Sequence, residues 1–175
     1  MAPIRAYLRW LGYDARTWGL GTNMGDPRRD AELMSLSVAE LAEAAGAPVA
    51  LVGWSLGGVI AREVARKVPE RVSRVITYGS PVVGGPAHTV AVNRYEPGEG
   101  DRVDAAIEEL NASAPISVPV TAIFTRRDGV VAWQACIDRN TEGVEHIEVG
   151  STHIGLGIDP DVWETVAWTL ARPIP

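Results

Sequence analysis

The sequence predicts an α/β fold in which a mostly parallel sheet of about five strands carries helices on both faces. Two observations support this prediction. Short apolar runs alternate along the chain with segments in which apolar residues recur every three or four positions, as in successive strand–helix–strand units. The 175 residues also suffice for one domain with a buried core. We therefore expect a single domain over residues 1–175.

The first predicted elements are a short helix, a strand and a loop. Residues 4–11 have a helical pattern that ends near Gly12, and residues 13–18 are predicted to form a strand. The glycine content of residues 19–25 indicates a loop.

A second helix and a buried strand follow. The helix begins with Asp26 as its N-cap and Pro27 at its first helical position, carries one apolar stripe, and ends at Gly46. Residues 48–54 are a continuous apolar run, which is typical of a strand buried on both faces.

The rest of the chain continues this alternation with one interruption. Residues 56–68 predict a helix, and residues 72–78 predict the next strand. Residues 80–115 are irregular and rich in Gly and Pro, so we interpret them as a cap-like or lid-like insertion with a helical piece at residues 104–110. The last predicted elements are strands at residues 118–125 and 144–149 and a helix that begins at Asp159 and Pro160.

The composition favours a small-molecule partner. The chain has 16 basic and 22 acidic residues, a formal net charge of -6, and no run of Lys or Arg. This charge argues against nucleic acid or an anionic membrane as the main partner. The single cysteine, Cys136, lies in an apolar stretch and is interpreted as a buried, inert thiol, with a catalytic thiol as the alternative.

The beginning of the sequence does not have the pattern of a signal peptide. Arg5 and Arg9 interrupt the apolar core that such a peptide needs. No apolar run approaches the roughly 18 residues of a membrane-spanning helix. As written, the chain is expected in the cytoplasm, and it would be secreted if an upstream region with a signal peptide has been lost.

Residues 53–57, Gly-Trp-Ser-Leu-Gly, carry the main chemical signal. They match the pattern Gly-x-Ser-x-Gly and lie where an apolar strand meets an apolar-striped helix. A sharp turn there would expose the Ser55 hydroxyl, and both glycines are expected because Cβ atoms at their positions would clash. Ser55 is thus a candidate nucleophile, with the N–H of Leu56 as an oxyanion donor and Trp54 as a substrate contact. The alternative is a tight turn whose serine is only an N-cap.

A serine nucleophile needs a base and an acid, and both follow in the order that this motif predicts. Asp128 comes after the strand at residues 118–125, and His153 comes after the strand at residues 144–149. His153 would accept the proton of Ser55, and Asp128 would orient the imidazole and stabilise its charged form. Taken alone, His153 could be an ordinary loop histidine, and Asp128 a turn residue or a partner of a neighbouring arginine.

These motifs belong to a wider likeness that covers nearly the whole chain. The matching segments are residues 8–13, 18–25, 53–58, 78–81, 128–131 and 153–156. Together they resemble the bacterial triacylglycerol lipase and esterase branch of the α/β-hydrolase superfamily. The most specific parts are the serine motif and the Asp-Gly-Val-Val stretch at residues 128–131. The resemblance implies a minimal α/β-hydrolase fold with Ser55, Asp128 and His153 as nucleophile, acid and base.

One part of the family pattern has no match in this sequence. Family members begin with a strand that lies beside the motif strand and ends in a turn, and this turn gives the second oxyanion N–H. The resemblance therefore implies an open sheet edge beside residues 48–54, unless the predicted strand at residues 13–18 closes it. The second donor would be absent or come from elsewhere; the loop at residues 19–25 is one source, with an ordinary turn as its alternative. Self-association across this edge, giving a homo-oligomer, would close it.

The residues and the resemblance together predict a carboxylic ester hydrolase that forms an acyl-enzyme and needs no metal or cofactor. Short-chain esters are the expected substrates because residues 80–115 are too few for an elaborate lid. One alternative is another acyl transfer on the same triad, by an amidase, a thioesterase or an acyltransferase. Another is a truncated pseudo-hydrolase that serves as a binding module.

Overall fold

The structure, a computed structural model, describes residues 2–21, 26–83, 88–90 and 99–174. Within these ranges no helix combines the length and the apolar character that crossing a bilayer requires. The helices and strands in chain order are α1 (Ala2–Trp10), α2 (Pro27–Ala45), β1 (Val49–Trp54), α3 (Leu56–Lys67), β2 (Val72–Tyr78), α4 (Glu99–Ser113), β3 (Val120–Phe124), β4 (Glu145–Glu148) and α5 (Pro160–Ala171). The predicted cap residues are in place for α2, where the side chain of Asp26 accepts a hydrogen bond from Arg29 N at 3.1 Å and Gly46 adopts a φ of 64°.

The four strands form one parallel sheet in the order β1–β2–β3–β4. Because the strands are parallel, their carboxyl ends meet at one edge, and so do the loops that leave them. Ser55 follows β1, Asp128 follows β3 and His153 follows β4. The topology alone therefore brings the three candidate residues to the same edge of the sheet.

Strand side chains alternate between two cores, one on each face of the sheet. On one face Leu51 and Val75 pack in a cluster with residues of α2 and α3. On the opposite face Val52 and Ile76 pack in a cluster with residues of α1 and α5. The prediction of a parallel sheet with helices on both faces is thus confirmed.

The prediction of a strand at residues 13–18 is wrong, and the described residues contain four strands instead of about five. A strand needs a partner for its backbone groups, but Tyr13 N donates to Leu8 O at 3.0 Å and Ala15 N donates to Tyr13 O at 2.9 Å. The side chains nevertheless alternate, since Tyr13 and Ala15 pack against the α1/α5 core and Trp18 against the α2/α3 core. The segment borders both cores without joining the ladder.

The region at residues 80–115 is more helical than expected. α4 has 15 residues, whereas the sequence predicted a helical piece over residues 104–110 only. The prediction was too short because the polar N-terminal half of α4 lacks an apolar stripe. Its C-terminal end is fixed to α3, since the side chain of Arg66 donates to Asn111 Oδ1 and, at 2.7 Å, to Ala114 O. Residues 84–87 and 91–98 of this region, and residues 22–25 of the predicted loop, lie outside the described residues.

A buried ion pair ties α3 to the connection between β3 and β4. Arg62 Nη2 lies 2.7 Å from Asp138 Oδ2, and the two side chains are 3% and 0% exposed. Asp138 Oδ1 also accepts hydrogen bonds from the backbone N–H groups of Asn140 and Thr141, at 2.9 and 3.0 Å. Since Ser55 immediately precedes α3 and Asp128 lies in the same connection as Asp138, this pair fixes two parts of the site relative to each other.

The lowered pKa of Asp138 in this ion pair leads us to expect a loss of stability in acid. Burial by itself raises the pKa of a carboxyl, but Arg62 and the donors at Asn140 and Thr141 outweigh it and lower the pKa of Asp138 from 3.8 to about 2. A carboxyl with a lowered pKa in the folded state contributes stability that is complete above its unfolded pKa and is lost as the pH falls through its folded pKa. We therefore expect the free energy of unfolding to fall as the pH drops from about 4 to about 2.

Asp138→Asn should remove this contribution and leave the Arg62 charge buried without a counter-ion, at a cost of about 3–5 kcal/mol at neutral pH. Urea unfolding measured from neutral to acid pH tests this. Glu148→Gln is the matched control, because the ion pair of Glu148 with Arg126 is exposed and should contribute under about 1 kcal/mol. Equal losses in the free energy of unfolding for the two variants would contradict the stabilising role given to the Arg62–Asp138 pair.

Candidate active site

Ser55 occupies a strained turn between β1 and α3. Its φ is 52° and its ψ is −126°, and among the described residues it is the one non-glycine residue with positive φ. Such a conformation costs about 1–3 kcal/mol and persists only where neighbouring structure enforces it. Here Ser55 N donates to Tyr78 O at 2.9 Å, and Gly58 N donates to Ser55 O at 3.0 Å. The turn thus holds the serine at the carboxyl edge of the sheet.

The clash expected at both glycines of the motif is found at Gly53 but not at Gly57. A Cβ on Gly53 would lie 2.4 Å from Gly58 Cα and 2.5 Å from the Gly57 carbonyl carbon, so a side chain at Gly53 is excluded. A Cβ on Gly57 would meet no described atom within 4 Å, so the expected clash at this position is wrong. Gly58 is the second crowded position, since its Cβ would lie 2.0 Å from Ser80 Oγ. The reason is that α3 turns its second glycine, and not its first, towards the sheet.

His153 connects Ser55 with Asp128. Its Nε2 lies 3.1 Å from Ser55 Oγ, and its Nδ1 lies 2.7 Å from Asp128 Oδ2. The side chains of His153 and Asp128 are only 6% and 1% exposed. The three predicted residues therefore form one continuous hydrogen-bonded chain, in which the His153 and Asp128 side chains are shielded from water.

Asp128 is held so that one of its oxygens is free for the imidazole. Its Oδ1 accepts hydrogen bonds from the backbone N–H groups of Val130 and Val131, both at 2.8 Å, and its Oδ2 faces His153. A carboxylate can only accept, so His153 Nδ1 donates and its Nε2 is left to accept from the Ser55 hydroxyl. This tautomer is the one that can remove a proton from the serine.

The N–H of Leu56, predicted as an oxyanion donor, belongs to the first turn of α3. Leu56 is the first residue of α3, and the first N–H groups of a helix have no partner within it. They also point along the positive end of the helix dipole. An oxygen that develops negative charge next to Ser55 would therefore meet a favourable field.

Trp54, expected as a substrate contact, lies against His153. Its indole Nε1 donates to His153 O at 3.2 Å, and the two rings have centroids 5.7 Å apart. The indole is half-buried and packs against the α1/α5 core. The position of Trp54 beside Ser55 follows from the motif, but its contact with His153 comes from a residue 99 positions away along the chain.

Gly79 lies in the matching segment at residues 78–81, but the sequence analysis assigned it no role in the site. It has a φ of 57°, and a Cβ there would lie 3.2 Å from Nδ1 and 3.3 Å from Cε1 of His153. The left-handed backbone and the missing side chain together leave room for the imidazole. The available sequence signal was a glycine directly after the β2 strand.

The cysteine and the two other histidines take no part in this hydrogen-bonded chain. Cys136 is buried, and burial, with a smaller effect of the Asp128 charge, raises the pKa of its thiol to about 12, as an inert thiol requires. His146 Nε2 accepts a hydrogen bond from Asp138 N at 3.0 Å, away from Ser55, and His88 is exposed. Within the described ranges no group of three or more His, Cys, Asp or Glu could hold a metal ion.

A parallel sheet with serine, aspartate and histidine on loops at its carboxyl edge is the arrangement of an α/β hydrolase. The model of the α/β hydrolase fold family matches residues 39–147, and the chain belongs to this family. No curated protein sequence matches the chain.

Solved structures with this fold resemble the chain over most of its length. The esterase domain of a Rhodothermus marinus protein has a TM-score of 0.64 and 20% identity, covering 97% of this chain and 77% of that one. An α/β serine hydrolase homologue from Coxiella burnetii has a TM-score of 0.60 and 19% identity, over 87% of this chain and 65% of that one. A hydrolase from Pseudomonas aeruginosa PA01 has a TM-score of 0.57 and 18% identity, over 81% of this chain and 72% of that one. At these identities the likeness shows the shared fold.

The unequal glycines of the turn give a direct test of this geometry. Gly53→Ala should lower the free energy of unfolding by at least about 2–3 kcal/mol, because its Cβ would meet backbone that cannot move away. Gly57→Ala should leave the stability unchanged or raise it by up to about 1 kcal/mol, because alanine suits a helix better than glycine. Urea unfolding of the two variants checks this, and a similar loss in both would contradict the described turn.

Proposed function

We propose that the chain is a serine carboxylic ester hydrolase with Ser55 as nucleophile, His153 as general base and acid, and Asp128 as the residue that orients the base. The observation that carries this proposal is the continuous hydrogen-bonded chain from Ser55 Oγ through the imidazole to Asp128 Oδ2, with distances of 3.1 and 2.7 Å. A serine that is only a helix cap would need neither partner, and Ser55 makes no side-chain cap hydrogen bond to α3.

In the first half of the reaction the Ser55 oxygen attacks the ester carbonyl carbon while its proton passes to His153 Nε2. The carbonyl oxygen becomes an oxyanion, which the N–H of Leu56 stabilises. The bond to the alcohol oxygen then breaks, and the proton moves from Nε2 to the leaving alkoxide. Asp128 stabilises the imidazolium that exists between these two proton transfers. The products are the free alcohol and an acyl group on Ser55.

In the second half a water molecule takes the place of the alcohol. His153 Nε2 accepts one proton from this water as its oxygen attacks the acyl carbon. The bond to Ser55 Oγ then breaks, and Nε2 returns the proton to the serine. The carboxylic acid leaves, and the site regains its starting protonation without any external co-reactant.

Esters with short acyl chains are the proposed substrates. The likeness to an esterase domain and to other hydrolases supports the ester class. α4 is joined to α3 through Arg66 and Asn111, which limits how far its C-terminal half can move to accommodate a long chain. The small alcohol and acyl groups of short esters do not require α4 to move.

Hydrolysis of p-nitrophenyl acetate, butyrate, octanoate and palmitate tests the proposal. We expect kcat/KM to be highest for acetate or butyrate, and Ser55→Ala to lower it by roughly 10⁴-fold, because no other group can form the acyl-enzyme. Ser113→Ala is the matched control, since it makes the same change at an exposed serine of α4 and should leave the rate unchanged.

The absence of ester turnover in the folded parent protein would contradict the proposal. Equal rates for the parent protein and Ser55→Ala would also contradict it, because the activity would then come from another group. A folded but inactive parent protein would favour a binding role for this fold.

We further propose that a second copy of the chain covers the open edge of β1 and completes the oxyanion site. Among the described residues β1 pairs with β2 alone, so its other edge presents unpaired backbone groups next to Ser55. Tyr13 packs on the same core as Val52, and Trp18 on the same core as Leu51, so the segment at residues 13–18 flanks the sheet on both faces without pairing. A strand added to β1 would bring new backbone N–H groups close to the oxyanion.

Dimerisation should therefore raise activity. Losing one oxyanion donor costs about a hundredfold or more in rate, so specific activity should rise steeply with protein concentration as dimers form. Light scattering and ester hydrolysis over the same concentration range provide the measurement. A monomer at all concentrations with constant specific activity would overturn this part of the proposal and leave the triad assignment intact.

A further inference from the structure

We infer that Trp54 is a positioning residue that keeps the imidazole of His153 facing Ser55, in place of the substrate contact that the sequence suggested. This inference rests on the proposed function, because it assigns Trp54 a role in the same proton transfer.

Two contacts of different kind join Trp54 to the base. Its indole N–H donates to the backbone oxygen of His153 at 3.2 Å, and its ring packs against the imidazole with centroids 5.7 Å apart and planes at 34°. The hydrogen bond fixes where the His153 backbone lies, and the ring contact limits how the side chain rotates. Because Trp54 is the last residue of β1, directly before Ser55, one strand end holds both the nucleophile and the base.

The six-membered ring of the Trp54 indole also contacts another part of the protein. A Cβ on Gly157 would lie 3.6–3.8 Å from three atoms of the six-membered ring of Trp54, so the glycine backbone packs on this ring. Gly157 belongs to the short helix Gly155–Gly157 that follows His153. Trp54 therefore contacts the His153 loop at two places, which anchors the loop as well as the ring.

The end of the neighbouring strand completes this support. Tyr78 pairs with Trp54 in the ladder, and Gly79 follows it with its backbone against the imidazole. The His153 ring thus contacts the ends of β1 and β2 together. Such contacts matter because a displacement of about 1 Å in a reacting group can lower a rate roughly a hundredfold.

The inference is tested with Trp54→Phe, which keeps an aromatic ring and removes the N–H donor, and with Trp54→Leu, which removes the aromatic ring. Trp163→Phe is the control, because Trp163 packs on the same core and its buried indole nitrogen has no hydrogen-bond partner among the described residues. The readouts are kcat and KM for p-nitrophenyl acetate, butyrate and octanoate, and the far-downfield proton NMR signal of the N–H that His153 shares with Asp128.

We expect Trp54→Phe to lower kcat about tenfold, the effect of one lost hydrogen bond, with KM unchanged for every ester. Trp54→Leu should lower kcat about a hundredfold. In both variants the downfield signal should shift or broaden, whereas Trp163→Phe should leave kcat, KM and the signal unchanged.

A substrate contact would give a different pattern, in which KM rises with acyl length while kcat and the downfield signal stay the same. That result would overturn the inference, and so would an unchanged kcat together with an unchanged signal. If the parent protein hydrolyses no ester, the proposed function fails separately. The NMR signal then still decides whether Trp54 holds the imidazole.

Discussion

The strained backbone of Ser55 is the constraint on which the site depends. Its positive φ is possible only because Gly53 lets the chain approach Gly58, and because the Ser55 N–H is held by Tyr78 O across the β1–β2 ladder. Strain of this kind must be compensated by the surrounding fold. The α2/α3 core beneath β1 and the buried pair of Arg62 with Asp138 hold α3, which begins directly after the serine.

The parallel sheet supplies the remaining geometry. Ser55 and His153 are 98 positions apart, yet the carboxyl ends of β1 and β4 lie at the same edge, so short loops suffice to bring them within hydrogen-bond distance. Backbone donors at Val130 and Val131 fix Asp128, and Trp54 and Gly79 contact the imidazole. Backbone N–H groups thus make two of the polar contacts that hold the hydrogen-bonded chain from Ser55 to Asp128.

The sequence allowed the elements around the motif to be predicted well, because their signals are local: the apolar run before Ser55, the stripe after it, and the caps at Asp26 and Gly46. The strand at residues 13–18 was predicted wrongly because strand pairing depends on a partner that a local pattern does not contain. The crowding at Gly58 in place of Gly57, and the contact of Trp54 with His153, depend equally on residues distant in sequence. The order of serine, acid and base was accessible from the motif, while the supports of the base were not.

The most direct test of the central claim is to react the folded protein with a fluorophosphonate and to locate the adduct by peptide mass spectrometry. The hydroxyl of Ser55 is expected to be reactive because His153 can accept its proton. The account predicts one adduct per chain, on Ser55, and a much slower reaction in His153→Gln. An adduct at another residue, or no adduct on a protein shown to be folded, would contradict it.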